Sequence, residues 1–448
     1  MLTVEEAEGR AAALVEAALR AGADAADVLY IGDSATEVQV RLGALEDVGR
    51  SEGEEIGLRL FVGRRSASVA SSDLSADALH ALVERAAAMA REAPEDPYAG
   101  LAPEDRLYRG GAPDIEGDDG ADPSPAEIKQ RALAMEDSAR AVPGITNSEG
   151  AGVSAGRNVV ALATSHGFVQ GYTTSGYSGG VSVIAGSGSA MQRDHASHNV
   201  RHYTDLDAPD ALGRLAAERA LKRLDPARLA SGTMPVFFHP RVGGSLIGSL
   251  LSAMTGPAIA RRTSFLVDRA EEQLFAEDLV LIDDPHRRRG LRSKPFDGEG
   301  VATAPRRLVD GGRLTGWLLN AAAARQLGLE PTGHATRGIG GAPGASATNV
   351  HLEPGPMSPA ELMADVRRGL FVTEMIGQGV NPVTGDYSRG ASGFIIENGE
   401  LAAPVAEITI AGNLIDMYRR LTPANDLDHR RAVNVPTLRV EGMTVAGA

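Results

Sequence analysis

Apolar and polar positions along the first ninety residues predict a helix, three short strands and a second helix. Residues 3–20 repeat apolar side chains at helical spacing, and residues 75–92 do the same behind Ser75 or Asp73, either of which can act as an N-cap. Between the two helices, β-like runs separated by Gly and Asp occur at 27–31, 36–42 and 57–62. The chain is therefore expected to open with a unit of helices and short strands.

A breaker-rich tract separates this unit from a second one. Residues 93–125 hold many Pro, Gly and Asp residues with little apolar periodicity, which is typical of a linker or an exposed loop. Ser124 and Glu127 then form the capping-box pattern of a helix that is expected to reach about residue 142. A further helix is predicted at 210–223. Strands of an antiparallel meander are predicted between these helices at 152–154, 158–165, 168–175 and 180–185.

The second half of the chain contains more turns than helices. A strand at 234–238 precedes a long uncharged helix, and many short strands follow between residues 301 and 440. Helices and strands do not alternate strictly, so the pattern predicts an α+β fold of two lobes rather than a doubly wound sheet. N-terminal helix and antiparallel-strand units are expected at 1–108 and 109–226, and a C-terminal strand-rich α+β domain at 227–448.

Composition argues against several classes of function. The 448 residues include 44 Lys and Arg against 59 Asp and Glu, a formal net charge of −15 that disfavours nucleic-acid binding. The absence of cysteine excludes disulfides, Cys-ligated metals and thiol nucleophiles. The first residues are acidic and helical in spacing, unlike a signal sequence, and the uncharged stretch 242–260 is too rich in Gly and Ser for a membrane span. A cytoplasmic protein without a membrane partner is expected.

A G-x-S-x-G pattern at 176–180 is one candidate for catalytic chemistry. It matches the nucleophile elbow of hydrolases, with Ser178 in the place of the nucleophile. That elbow requires a turn from a strand into a helix, whereas the β-like run 181–185 follows Ser178. A Gly-rich hairpin turn is therefore the favoured interpretation.

Three histidines form a second candidate. His195, His198 and His202 are spaced by three and four residues, so on a helix they would share one face and could hold a metal ion. The sequence around them is polar and has no apolar stripe to anchor such a helix. A solvated loop is the favoured interpretation.

Two further segments have unusual composition. The Gly-rich residues 338–344 lack the Lys and the spacing of a phosphate-binding loop, which favours a flexible loop. Residues 287–289, Arg292 and Lys294 form a basic cluster that could bind the carboxylates or phosphate of a partner. Solvated surface is the more frequent role of such clusters.

Four stretches of the C-terminal half are more distinctive than these motifs. They are residues 240–246 with the helix that follows, 293–300, 332–349 and 407–414. Together with residues 190–194 and the opening helix and strands, they resemble the TldD/PmbA family over almost the whole chain. This family is a group of peptidases of the modulator-of-DNA-gyrase type, and residues 407–414 are similar to its PmbA/TldE branch in particular.

The resemblance implies that this chain carries a degenerate active-site helix. TldD-type members look like zinc peptidases with H-E-x-x-x-H on that helix and a Cys ligand further along. When the helices are aligned through Gly244, the three motif positions hold Pro240, Arg241 and Ser245, and His239 lies alone one residue away. Pro, Arg and Ser supply neither a zinc ligand nor a general base. No catalytic residue, no metal ligand and no cofactor are therefore expected in this chain, and its substrate-binding residues are not predicted.

The resemblance also implies a partner. A PmbA/TldE-like chain is expected to pair with a TldD-type zinc peptidase subunit, which would carry the zinc, and to help degrade unfolded peptides in the cytoplasm. The isolated chain could form a homodimer. Two other hypotheses stay open: a stand-alone hydrolase that uses Ser178 or the His195 cluster, and a non-enzymatic binding or regulatory protein linked to DNA gyrase.

Overall fold

The computed structural model describes residues 1–270 and 272–447, and it confirms an α+β fold of two lobes. The helices are α1 (Val4–Arg20), α2 (Ala76–Glu92), α3 (Pro125–Arg140), α4 (Pro209–Leu221), α5 (Pro240–Ala253), α6 (Gly256–Ala260), α7 (Ala321–Leu327), α8 (Pro359–Met363) and α9 (Leu414–Arg419). The strands of the N-terminal lobe are β1 (Ala25–Arg41), β2 (Ala44–Val62), β3 (Arg65–Ser71), β4 (Ile145–Thr164), β5 (Val169–Ala185) and β6 (Gln192–Val200). Those of the C-terminal lobe are β7 (Gly232–Phe238), β8 (Leu281–Asp283), β9 (Arg306–Asp310), β10 (Arg313–Leu314), β11 (Ala335–Thr336), β12 (Gly344–Ala345), β13 (Val350–Leu352), β14 (Arg368–Ile376), β15 (Asp386–Glu397), β16 (Glu400–Asn413), β17 (Leu421–Pro423), β18 (Val433–Asn434) and β19 (Leu438–Ala446).

The N-terminal lobe is built on one antiparallel sheet of six strands in the order β3-β2-β1-β4-β5-β6. Helices α1 and α2 cover one half of the sheet, where Leu14 and Leu82 join Tyr30 in an apolar core. Helices α3 and α4 cover the other half around Met135 and Leu212. Because β1 pairs with both β2 and β4, the helix and strand units predicted from the sequence share a single sheet.

The strands of this sheet are longer than the sequence predicts. β1 joins two of the predicted runs, and β4 and β5 each join two more. The hairpin turn predicted at 176–180 is wrong, because these residues lie inside β5, between β4 and β6. Their small side chains serve close packing, since a Cβ atom on Gly179 would lie 3.2 Å from the Met135 side chain of α3.

The C-terminal lobe combines a small barrel with a second sheet. Its main sheet has the order β16-β15-β14-β7-β19-β17, and an additional pairing of β16 with β19 closes five of these strands into a ring. The second sheet has the order β10-β9-β8-β13-β18. Helix α5 follows β7 and contacts both β14 and β18. Leu246 and Leu250 of α5 and Met254 at its C-cap are buried, and a Cβ atom on Gly244 would lie 3.1 Å from the Val433 carbonyl oxygen.

The uncharged stretch after β7 is divided into α5 and α6 at Met254 and Thr255. Neither these helices nor any other helix within 1–270 and 272–447 has both the length and the apolar character that crossing a membrane requires.

Residues 93–124 connect the two helix-covered halves of the N-terminal lobe and contain little regular structure, as predicted. The expectation of an exposed loop is wrong for part of this segment. Leu101 and Leu107 are buried, the Tyr108 N–H donates to the Gly300 carbonyl (2.8 Å), and the Ala302 N–H donates to the Arg106 carbonyl (3.1 Å). Hydrogen bonding therefore fixes the segment to the C-terminal lobe.

Buried charges also join the two lobes. Arg59 on β2 donates to Asp27 on β1 (Nε–Oδ2, 3.0 Å) and lies 3.6 Å from the carboxylate of Glu299. Arg337 of the C-terminal lobe forms a second ion pair with Asp27. Burial alone would raise the pKa of Asp27, but the charges of Arg337 and Arg59 outweigh it and lower that pKa.

Candidate functional site

A cavity of about 730 Å³ lies at the N-terminus of α5, where the two lobes meet. Its lining comes from β6 and α4 of the N-terminal lobe and from α5, β14 and the segment before β18. A neighbouring groove of about 400 Å³ shares Pro240, Arg241 and Arg431 with this cavity and adds Ser245. All three positions of the degenerate motif therefore border one continuous depression.

Arg241 is held by a set of contacts that spans both lobes. Its two terminal nitrogens donate to the two carboxylate oxygens of Asp194 on β6, at 2.7 and 2.9 Å, and its Nε donates to the Thr373 carbonyl of β14. Such a bidentate pair fixes the plane of the guanidinium as well as its position. Only 9% of the Arg241 side chain and 3% of the Asp194 side chain are exposed.

Asp194 has a second basic partner. Arg223, just after α4, lies 3.4 Å from Asp194 and also pairs with Glu374 on β14. Burial would raise the pKa of Asp194, yet the hydrogen bonds and charge of Arg241, together with the charge of Arg223, lower it. The result is a chain of alternating charges, Arg241–Asp194–Arg223–Glu374, in which Arg241, Asp194 and Glu374 line the cavity.

His239 and Pro240 shape the start of α5. The His239 Nδ1 atom accepts the Arg241 N–H (3.1 Å) as the helix N-cap, and Pro240 occupies the first turn, where no N–H is needed. Burial and, next, the charge of Arg241 lower the pKa of His239 to about 4. His239 is therefore neutral near pH 7, with the Nδ1 lone pair used inside the chain.

The third motif position is also occupied by an internal contact. The Ser245 hydroxyl donates to the Val242 carbonyl of the preceding turn (2.8 Å). Zinc sites in proteins use imidazole, thiolate and carboxylate donors, and Pro240, Arg241 and Ser245 offer none of these. Across the described ranges, no group of three or more His, Cys, Asp or Glu side chains is arranged to hold a metal ion. The residues at the motif positions thus do not fit a zinc ion.

His195 and His198 lie on β6, so the expectation of a solvated loop is wrong for this part of the cluster. This polar sequence forms a strand because it pairs with β5 along its whole length, from Ala185 to Tyr177. His195 is on the exposed face of the strand, whereas His198 shares the inner face with Asp194 and its Nδ1 lies 3.3 Å from Asp207. His202 lies beyond the strand, with Nε2 3.0 Å from the Glu116 carbonyl oxygen. The three imidazoles therefore do not converge.

Ser178 lies inside β5 and not on an elbow. It pairs with Ser154 on β4 and Asn199 on β6, and its hydroxyl oxygen is 2.7 Å from that of Ser154. The β-like run that the sequence predicts after Ser178 is confirmed. This geometry lacks the strand-to-helix turn that presents a nucleophile.

Most side chains of the basic cluster form contacts within the chain. Arg288 and Arg289 pair with Glu116, and Arg289 also pairs with Asp205. Lys294 is a buried donor to the Ala335 carbonyl (3.3 Å). The Gly-rich residues 338–344 lie against the N-terminal sheet, where the Ile339 carbonyl oxygen approaches Gly57.

The sequence alone did not predict the ion pairs of Arg241 and Arg223. Asp194 precedes Arg241 by 47 residues and Glu374 follows Arg223 by 151, so no local spacing connects them. The available signal was Asp194 itself, an acidic residue within the 190–194 stretch that carries part of the family resemblance.

Comparison with known proteins places the chain in a family of metallopeptidases with three domains. Residues 26–90 match domain 1 of the PmbA/TldA metallopeptidases, residues 118–224 their central domain and residues 231–447 their C-terminal domain. The chain belongs to this family, the TldD/PmbA family indicated by the sequence.

Individual relatives agree with this assignment. The chain is 37% identical to "Metalloprotease PmbA" of Escherichia coli O157:H7 over 95% of this chain and 92% of that protein. A crystal structure of a candidate modulator of DNA gyrase from Bacteroides thetaiotaomicron has a TM-score of 0.91 at 28% identity, over the full length of both chains. TldE from Thermococcus kodakarensis shares the fold, with a TM-score of 0.87 at 21% identity over 99% of this chain and all of that one.

Proposed function

We propose that this chain is the PmbA/TldE-like subunit of a TldD/TldE-type metalloprotease and that it does not bind the catalytic zinc itself. The observation that supports this proposal is the Arg241–Asp194 ion pair. It fills the position where the family's catalytic helix would carry its Glu, with a cation already neutralised by a buried carboxylate. A site built in this way contributes to the structure but has no group that could carry out hydrolysis.

The proposed complex is cytoplasmic, and its TldD-type subunit supplies the zinc and the base. Unfolded peptides are the substrates, because an extended chain fits a depression between two lobes better than a folded protein does. The PmbA/TldE-like chain forms one wall of the chamber that holds the peptide substrate and one side of the subunit interface. Its net charge of −15 argues against nucleic acid as a partner.

The test mixes this chain with a TldD-type counterpart and measures cleavage of an unstructured peptide. Activity is expected only in the mixture, is expected to be lost on adding a chelator, and should survive Ser178→Ala in this chain. Co-elution of the two chains in size-exclusion chromatography checks the complex. Equal activity from the counterpart alone would contradict the subunit proposal, and so would chelator-resistant activity from this chain alone.

A further inference from the structure

The depression at the N-terminus of α5 carries more positive charge than its own carboxylates neutralise. The acidic residues of its lining are already engaged: Asp194 pairs with Arg241 and Arg223, Glu374 with Arg223, and Asp207 with Arg430. Asp428 lies 4.0 Å from the same Arg430. Each of these four carboxylates therefore has a basic neighbour.

Four further guanidinium groups lie along the same depression. Arg219 of α4 donates to the His195 carbonyl (2.9 Å), and Arg431 lies at the boundary of the cavity and the groove. Arg292 and Arg389 line the groove. Within 1–270 and 272–447, none of these four side chains forms an ion pair with an Asp or Glu residue.

The lowered pKa values of two of these arginines agree with this geometry. Burial and then the charge of Arg241 lower the pKa of Arg219 to about 10. Burial and the charges of Arg241 and Arg430 likewise lower the pKa of Arg431. The charged forms of Arg219 and Arg431 thus oppose each other and their neighbours, and an anion placed between them would relieve this repulsion.

The shape and chemistry of the walls point to a peptide as the source of the anion. Leu212, Leu215 and Val242 line the cavity beside the arginines, and Met375 lies where cavity and groove join. A peptide presents apolar side chains and carboxylates along one extended chain, which matches this mixture. Guanidinium groups bind carboxylates through paired, charge-assisted hydrogen bonds.

We propose that this depression binds the carboxylates of an acidic peptide, with Arg219 and Arg431 as its principal contacts and Arg292 at the groove end. The proposal builds on the peptide-handling role given above and assigns a binding task to the degenerate site. In place of a metal and a base, the site would hold part of a peptide through its negative charge.

Isothermal titration calorimetry with the full chain tests this site without the partner subunit. The probe is a short unstructured peptide with Asp and Glu side chains and a free C-terminal carboxylate. One sister peptide keeps only the side-chain carboxylates, and a second keeps only the C-terminal carboxylate. A third has Asn and Gln in place of Asp and Glu and an amidated C-terminus. Loss of one guanidinium–carboxylate contact is worth about tenfold in affinity.

Arg431→Gln and Arg292→Gln are expected to weaken binding of the acidic peptide by about tenfold each and to leave the neutral peptide unaffected. Arg50→Gln is the matched control, since Arg50 is exposed on β2, away from the depression. Arg219→Gln is the second test, and its fold is checked by thermal unfolding because Arg219 also donates to β6. Binding should weaken as ionic strength rises.

The sister peptides show whether the side-chain or the terminal carboxylate is bound, and either result supports the proposal. Equal affinity for the neutral amidated peptide would overturn it, as would unchanged affinity in both Arg431→Gln and Arg219→Gln. Displacement of the peptide by inorganic phosphate at equal concentration would instead identify a phosphate site. Because no cleavage is measured, failure here leaves the subunit proposal to its own mixing experiment.

Discussion

At the scale of single residues, the buried Arg241–Asp194 pair is expected to contribute strongly to stability. Arg241→Ala would leave the buried Asp194 with the more distant Arg223 as its basic partner and the His195 N–H as a donor, and removal of one member of a buried pair costs about 3–5 kcal/mol. Chemical denaturation of both proteins at neutral pH measures this difference. Arg214→Ala is the control, because the Arg214–Asp210 pair on α4 is exposed and such pairs contribute about 0.3–0.5 kcal/mol. Similar small losses for both variants would show that the buried pair is not structural.

Metal content is the second prediction at this scale. The purified chain is expected to carry no stoichiometric zinc, because the Arg241 side chain is engaged with Asp194, Ser245 donates to its own helix and His239 accepts the Arg241 N–H. Elemental analysis after dialysis checks this. One tightly held zinc per chain that disappears on replacing His195 or His198 would contradict the assignment.

These residues also show what the sequence can predict of the site. Pro240, Arg241 and Ser245 could be placed by aligning one helix, because a helix fixes the spacing of its own side chains. The contacts that give Arg241 its role depend on β6 and β14, which are remote in sequence and reach it only through the packing of two lobes. Local periodicity contains no information about such contacts.

At the scale of the elements, α5 is expected to be intolerant of charge on its inner face. Leu250 is fully buried among the apolar side chains of the C-terminal core, so Leu250→Asp would place an unpaired charge there. We expect loss of the native fold or a loss of several kcal/mol in stability. Ser252→Asp is the matched control, since Ser252 is exposed on the same helix and a misplaced charge near its end costs about 0.3–1 kcal/mol. An unchanged melting temperature for Leu250→Asp would show that α5 is assigned to the wrong environment.

Helices were easier to predict than strands, for a physical reason. α1, α2 and α3 begin within one residue of their predicted starts because Thr3, Ser75 and Ser124 cap them through local hydrogen bonds. The first half of β2 gave no β-like pattern because both of its faces are exposed, so no alternation is required. β6 was missed for a related reason: pairing with β5, and not apolar spacing, makes it a strand.

At the scale of the whole molecule, the two lobes are linked by buried polar groups as well as by apolar contact. The N-terminal lobe contributes Asp27 and Arg59, and the C-terminal lobe contributes Glu299 and Arg337. Asp297 lies beside this network and accepts three backbone N–H groups, from Glu299 (2.8 Å), Val301 (3.0 Å) and Ala335 (2.9 Å). Titration of Asp297 is therefore coupled to the region where the lobes meet.

The pH dependence of stability follows from the environment of Asp297. Burial and, next, the charge of Glu299 raise the pKa of Asp297 to about 7 from an ordinary value of 3.8. As the pH rises from 3.8 to about 7, the Asp297 carboxyl loses its proton at a lower pH in the unfolded chain than in the folded chain. The contribution of Asp297 to stability is thus fully present below pH 3.8 and is lost as pH approaches about 7.

Asp297→Asn removes this titration and isolates its effect. The free energy of unfolding of the variant, relative to the wild type, should rise by up to about 1.4 kcal/mol per pH unit between the two pKa values and then level off. Denaturation curves at a series of pH values measure the difference, and the values at the acidic end give the baseline cost of the altered hydrogen bonds. Groups such as His239, whose lowered pKa works in the opposite direction, titrate in both proteins and cancel in the subtraction. A difference that stays constant across the window would mean that Asp297 is ionised in the folded protein throughout, held by its three N–H donors and Lys294 against the cost of burial.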